Sequence, residues 1–300
     1  MSSVVLKLGS RLFGFEGSCV ERFLTSYAGS VPFIVTEGEA SLKVVCGGAR
    51  PSDYTPADDT LLYDFMFEEI GSRCLFFRLG DEYRFRMLSP DGKGALIEMC
   101  YRRGADTVET SCCDNPSVLR FALWFAVSML SAPVHQTFVH SSVIVYRGRA
   151  VLFLGESGTG KSTHTSLWLN NIEGSRLLND DSPILAIEDG VPMIYGSPWS
   201  GKRPVYVPRS FPLAAAVRLS QASSNTIRRL RFPEDFAALQ PSLPPALMQD
   251  TCFTDSLVDI LSTTLERVPL FHLQCLPDAF AARMSCDAVF NQVSSNTPVR

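Results

Sequence analysis

The stretch Gly155-Glu156-Ser157-Gly158-Thr159-Gly160-Lys161-Ser162 constrains this chain more than any other. It follows an apolar run, Ala150 to Leu154, and opens onto a segment, Thr163 to Asn170, that reads as helix. This is G-x-x-x-x-G-K-[ST] in its required context of strand, loop and helix. Glycines let the backbone curl until successive N–H groups point at one anion, and the positive end of the following helix adds to that field. Lys161 is placed to reach the β- and γ-phosphates of a nucleotide, and the Ser162 hydroxyl to ligand magnesium. The spacing therefore predicts a phosphate loop whose nucleotide contacts run from Gly155 to Thr163, with ATP and Mg2+ as ligands. The competing reading, an ordinary glycine-rich turn, does not account for the strand and helix on either side.

Composition narrows the partners. With 300 residues, 46% hydrophobic and 19% charged, the chain is globular and long enough for one large domain or two ordinary ones. A net charge of -4 supplies no global basic field, so neither nucleic acid nor an anionic membrane surface is an expected partner. Arg228, Arg229 and Arg231 form the one dense basic cluster and read as a solvated face. Nine cysteines without C-x-x-C spacing, and four histidines without ligand spacing, argue for reduced thiols in a cytoplasmic protein and against a zinc site. The vicinal pair Cys112-Cys113 is poorly placed for a loop-closing disulfide. No signal peptide is evident at the N-terminus. The apolar run Phe121 to Leu130 is shorter than the ~20 residues that span a bilayer and reads as a buried helix.

Residues 1–112 read as a β-rich region, with strands at Val4-Leu8, Pro32-Thr36, Ser41-Val45, Arg73-Leu79, Tyr83-Leu88 and Ala95-Tyr101 in a half-buried antiparallel meander. Asp58-Asp59 and Glu68-Glu69 read as surface charge. A helix from Val118 to Leu130, started at Asn115-Pro116-Ser117 and stopped by Pro133, opens the second domain, residues 113–300. Later elements are strands at Leu213-Leu219, Thr226-Leu230 and Pro269-Leu273, and helices from Thr254 to Arg267 and from Pro277 to about Val293. Ser294 to Arg300 reads as a tail. His164 and His272 read as packed residues.

Two hairpins carry geometric information. Arg147-Gly148 as a two-residue turn pairs Tyr146 with Arg149 and brings His140 opposite Gly155, at the mouth of the loop. Asp189-Gly190 pairs Glu188 with Val191, so Asp180 and Asp181 share one end of their hairpin with Gly196-Ser197-Pro198-Trp199-Ser200-Gly201-Lys202. Paired carboxylates beside a magnesium triphosphate have two jobs: one ligands the metal, the other takes a proton from an attacking hydroxyl. Which aspartate takes which job stays open. Trp199 and Lys202 are the candidate substrate-loop residues, in a loop whose composition suits closure over an acceptor.

Together these residues resemble the HPr kinase/phosphorylase catalytic domain, whose phosphate-loop fold is related to that of the phosphoenolpyruvate carboxykinases. The resemblance runs from His140 through the loop to Asp180-Asp181, with weaker likeness to about residue 290. It implies that His140 is catalytic and that the aspartate pair supplies the metal and general-base groups. Thr163 stands where HPr kinases carry Glu after the loop serine, and their C-terminal glycine-rich signature has no counterpart. The expected protein is thus HPr-kinase-like without being an HPr kinase.

The expected fold is α/β with α+β character: a P-loop kinase core with a mixed, hairpin-rich sheet, preceded by the β-rich region. The expected function is ATP- and Mg2+-dependent transfer of the γ-phosphoryl group to a hydroxyl, of a protein serine or a small molecule. His140, Lys161, Asp180 and Asp181 are the catalytic candidates; Ser162, Asp180 and Asp181 are the metal candidates. Alternatives are a nucleotide-binding regulatory or scaffold module without transfer, and a carboxykinase-like enzyme using Arg203 and Arg209 to hold a small acid. An oligomer is possible, but no residue pattern indicates one.

Overall fold

The structure, a computed structural model, describes residues 3–49, 57 and 60–291. Asp58-Asp59, the tail 294–300 and the expected end of the last helix near residue 293 lie outside the described residues. The architecture is α+β, built on two large mixed sheets. Two compact units divide the chain, one comprising 1–137 and 244–257, the other 138–243 and 258–300.

The first unit holds β1 (Ser3–Leu8), β2 (Arg11–Glu16), α1 (Ser18–Ser26), β3 (Ile34–Val35), β4 (Leu42–Cys46), β5 (Leu61–Phe67), β6 (Ser72–Leu79), β7 (Glu82–Leu88), β8 (Ala95–Arg102), β9 (Thr107–Thr110) and α2 (Pro116–Ser131). Its sheet has the order β3-β1-β2-β4-β9-β8-β7-β6-β5. The expected antiparallel meander is present from β5 to β9, but β4 pairs in parallel with both β2 and β9. The sequence predicts α2 as the start of the second domain, with the division at 112/113. The contacts place it in the first unit, because Phe121 packs against Phe67 at 4.6 Å and Phe125 against Phe85 at 4.5 Å, the rings tilted in both pairs. Asn115 caps α2, its side chain accepting from the backbone N–H groups of Ser117 and Val118. Residues 244–257 join this unit for a similar reason: Phe253 is fully buried against Phe76, Tyr83 and Tyr101. By length and composition α2 with the turn after it could cross a membrane, yet 67% of that window is buried inside the fold, as the sequence reading expected of a core helix.

The second sheet contains β10 (Gln136–Phe138), β11 (Ser142–Tyr146), β12 (Arg149–Leu154), β13 (Arg176–Asn179), β14 (Ile184–Glu188), β15 (Val191–Tyr195), β16 (Ser210–Gln221), β17 (Thr226–Arg229) and β18 (Leu270–Cys275). Its helices are α3 (Lys161–Asn171), α4 (Glu234–Leu239), α5 (Thr251–Arg267) and α6 (Ala279–Phe290). The unit boundaries fall within β10 and α5. The strand order is β10-β14-β15-β16-β12-β11-β13, with β18 beside β16 and β17 beside β18. The central strand β12 runs parallel to β16, which runs parallel to β18. Buried on both faces, β12 is a continuous apolar run, as such strands require. The core forms where Val151, Phe153, Val217 and Phe271 of the sheet meet Trp168 of α3 and Ala282 of α6. Trp168 Nε1 donates to Ser285 Oγ at 2.8 Å, which satisfies the buried indole.

Both hairpins have the expected register. Tyr146 faces Arg149, with Ser142 opposite Phe153 at the far end; Glu188 faces Val191, with Ile184 opposite Tyr195. Both turns use positive φ at two successive residues, 50° and 71° at Arg147-Gly148 and 49° and 74° at Asp189-Gly190. That pattern matches strand twist and locks a two-residue connection.

Candidate functional site

The Gly155–Ser162 loop leaves the carboxyl end of β12, where ligands of parallel α/β sheets gather. Gly155 has φ 149°, and a Cβ there would lie 2.5 Å from Thr159 Oγ1, so the loop closes this tightly only around glycine. Gly158 and Gly160, at φ 83° and 100°, have open space around them and are needed for conformation alone. Gly160 starts α3 without a side-chain cap, which leaves the helix's first amides to an anion. Glu156, Ser157, Ser162 and Thr163 are exposed. The Glu156 carboxylate points away toward Arg218, 3.8 Å off, while its carbonyl accepts from Thr159 Oγ1 at 2.8 Å.

Lys161 folds back over the loop, its Nζ donating to Gly155 O at 2.7 Å and to Glu156 O at 3.2 Å. The same Nζ lies 3.0 Å from His140 Nε2. His140 sits in the 139–141 connection, its backbone N–H donating to Ser242 O at 2.7 Å, and its ring is half exposed. Burial lowers the His140 pKa below the usual imidazole range and the Lys161 ammonium lowers it further, against the opposing charge of Asp181. Neutral His140 therefore accepts from Lys161 at Nε2, and its Nδ1–H turns toward Asp181 Oδ1, 3.6 Å away. Lys161 is also lowered, by burial first and by Arg218, against the two aspartates.

The acidic pair splits between two neighbours. Asp180 is buried and receives the Ser162 hydroxyl, 3.3 Å from both its oxygens, and the Ser142 hydroxyl at 2.5 Å. Arg203 grips it bidentately, Nε to Oδ2 at 2.7 Å and Nη2 to Oδ1 at 2.8 Å. Burial raises the Asp180 pKa, but the Arg203 and Ser142 hydrogen bonds and the Arg203 charge outweigh it and hold the carboxyl below its usual range. Asp181 is partly exposed and faces His140. Asn179 sets the turn between them: its side-chain oxygen accepts from Asp181 N and Ser182 N, and its amide donates to Trp199 O at 3.1 Å. That last bond ties the acidic pair to the 196–202 loop, at the end of the hairpin where the register placed both.

The substrate-loop candidates differ in fate. Lys202 is exposed. Trp199 is buried, edge-to-face with Phe138 at 5.3 Å, so its side chain supports the loop from within and presents no face to an acceptor. Gly201 approaches closest, since a Cβ there would meet Asp180 O at 2.9 Å and Asp181 Cβ at 3.3 Å. Arg203 and Arg209 do not form an acid-binding pair: Arg203 is committed to Asp180, with further bonds to Thr165 and to Ser166 at 3.2 Å, and Arg209 is exposed. Ser142 and Asn179 were not singled out from sequence; a serine opening a strand and an asparagine in a turn carry no distinctive signal. His164 is core, as expected, packed on Phe153 at 4.9 Å and 3.0 Å from Ser285 Oγ through Nε2.

Beside the loop lies a cavity of about 390 Å³, walled by Thr163 and Leu167 of α3 and by Leu219, Ala222 and Leu276 across from them. Its size falls in the range of small-molecule sites.

No protein-family model matches the chain, and no curated protein matches it. Among solved structures, the HPr(Ser) kinase/phosphatase from Coxiella burnetii is similar at 13% identity over 51% of this chain and 94% of that one, with a TM-score of 0.31.

Proposed function

We propose that the second unit is a Mg2+-dependent phosphotransferase that moves the γ-phosphoryl group of a nucleoside triphosphate, ATP by the sequence expectation, to a hydroxyl acceptor. The observation that carries this reading is the convergence of His140, Lys161, Ser162, Asp180 and Asp181, each within 3.6 Å of another member of the group. A triphosphate would rest on the loop amides and Lys161, with its nucleoside in the adjoining cavity. Ser162 and Asp180 offer hard oxygen donors only, the set that suits Mg2+, and would hold it. The metal would offset charge on the phosphates. Arg203 keeps Asp180 ionised and aimed.

The two aspartates then take different roles. Asp181, beside neutral His140 and partly exposed, receives the acceptor's hydroxyl proton as the oxygen bonds to the γ-phosphorus. The bond from that phosphorus to the β,γ-bridging oxygen breaks, and its electron pair leaves with the nucleoside diphosphate. Lys202 stands exposed on the adjoining loop, available to the acceptor.

The test is transfer of radiolabelled γ-phosphate to metabolite and cell-extract panels by the full chain and its variants. Asp181→Asn should bind nucleotide but lose transfer by ~10²-fold or more. Equal transfer by wild type, Asp181→Asn and His140→Ala would refute these roles. A second reading, a nucleotide-binding module without transfer, draws on the Arg203 clamp, which already engages both oxygens of Asp180. Tight nucleotide binding with no labelled acceptor in any extract would favour it.

A further inference from the structure

A second constellation lies in the first unit. Cys19, Cys46 and Cys112 are far apart in sequence, yet their Sγ atoms all lie within 4.8 Å of one another. Cys46 Sγ is 2.8 Å from Cys19 Sγ and 3.6 Å from Cys112 Sγ. Topology explains the meeting. Strands β2, β4 and β9 are adjacent and parallel, with Glu16 beside Val45 and Cys46 beside Thr110, so their carboxyl ends form one row. Cys46 ends β4, Cys19 lies just past the end of β2 in the first turn of α1, and Cys112 lies just past β9. Gly17 makes the closeness possible: at φ 119°, its Cβ would lie 2.8 Å from Cys46 Cβ.

We propose that Cys19, Cys46 and Cys112 form a three-thiolate site for a thiophilic d10 cation, Zn2+ or Cu+. Sulfurs bound at ~2.3 Å to one such ion stand about 3.7–4.0 Å apart, a spacing inside the 2.8–4.8 Å range over which these three atoms already lie. The donor set is sulfur throughout, as soft cations prefer. Cys112 is exposed, so the ion would be reached from solvent and could keep one outward position for water or an exogenous ligand. Binding displaces the thiol protons to solvent. The ion would join the ends of three strands that only the fold brings together.

The experiment uses the full chain, freed of metal under a phosphine reductant and titrated with Zn2+, and anaerobically with Cu+, each against a chromophoric chelator. One equivalent should bind in at least one arm, with proton release measured in weakly buffered solution. Cys112→Ser, which alters an exposed side chain, should weaken binding by at least ~10–100-fold, the loss seen when even an outer partner of a metal ligand is removed. Cys19→Ser and Cys46→Ser should do the same where circular dichroism shows them folded, and Cys286→Ser should leave binding unchanged. Binding below one-tenth of an equivalent in both arms overturns the proposal. So does an equal loss in Cys286→Ser and Cys112→Ser, or a Cys19–Cys46 disulfide in the chain isolated without reductant and mapped by peptide mass spectrometry.

Discussion

Removing the Arg203 side chain should expose what holds Asp180. The Asp180 side chain is 1% exposed and takes two charge-assisted bonds from a guanidinium that is itself 27% exposed. Among the described residues, Arg203→Ala leaves a buried carboxylate with only the Ser142 and Ser162 hydroxyls as side-chain donors. Breaking one partner of a buried pair costs about 3–5 kcal/mol, and water entering the vacated, partly open side favours the low end, about 3 kcal/mol. For a cooperative unit the size of the second one, about 150 residues, that corresponds to a Tm drop of about 6–12 °C. The pH dependence distinguishes this from lost packing. Held below its usual range in the wild type, Asp180 contributes stability above the unfolded carboxylate pKa that is lost as pH falls through the folded value. Without Arg203 its folded pKa rises, so protonation relieves the variant and the stability gap narrows as pH falls from 7 toward 4. Arg203→Lys, which keeps charge but not the fork, should recover part of the loss. The assay is urea denaturation followed by tryptophan fluorescence at several pH values. A gap below about 1 kcal/mol at pH 7, or one independent of pH, would refute the reasoning.

Other perturbations follow the same logic. Burial holds His164 at about 4, against 6.5 for the free side chain. The unfolded chain therefore binds more protons between those values, and stability should fall by about 3 kcal/mol as pH drops from 6.5 to 4; calorimetric Tm values for wild type and His164→Gln check this, the variant losing that slope. Gly201→Ala should destabilise the chain by about 1–3 kcal/mol by pressing on the acidic pair, read from chemical denaturation, and should reduce phosphoryl transfer. His140 is neutral at neutral pH, so transfer should decline on the acid side only as pH falls through its lowered pKa, beneath the usual imidazole range, and the ring gains charge beside Lys161. His140→Asn should lack that limb in a pH–rate profile.

The parts legible in the sequence are those set by local chemistry. Arg147-Gly148 and Asp189-Gly190 fix their hairpins because a two-residue turn with positive φ at both positions permits one register. That register placed His140 at the loop and the aspartates beside the 196–202 segment. Long-range partners left no trace. The Ser142 and Arg203 bonds to Asp180 depend on how β11 and the segment after β15 meet, and neither residue stands in a recognisable spacing. Strand β2 went unread because Gly14 interrupts its apolar pattern; that glycine lies against Ala40, where a Cβ would come within 3.2 Å. The membership of α2 and residues 244–257 in the first unit rests on aromatic packing over long sequence distances, as at Phe253. The three cysteines meet only because parallel pairing aligns strands far apart in the sequence, α1 and β3 lying between β2 and β4 and the β5–β8 hairpins between β4 and β9. A count of cysteines, without that pairing, read them as unrelated thiols.

The central claim is that Lys161 and the loop around it hold the phosphates of a nucleoside triphosphate. Isothermal calorimetry with Mg2+ and a non-hydrolysable ATP analogue tests it most directly, comparing wild type with Lys161→Ala and Asp181→Asn. One equivalent should bind the wild type, with affinity reduced ~10–100-fold in Lys161→Ala, the equivalent of one charge-assisted phosphate contact, and largely retained in Asp181→Asn. Absence of binding to the folded wild type at millimolar analogue, or equal affinity in Lys161→Ala, would contradict the account.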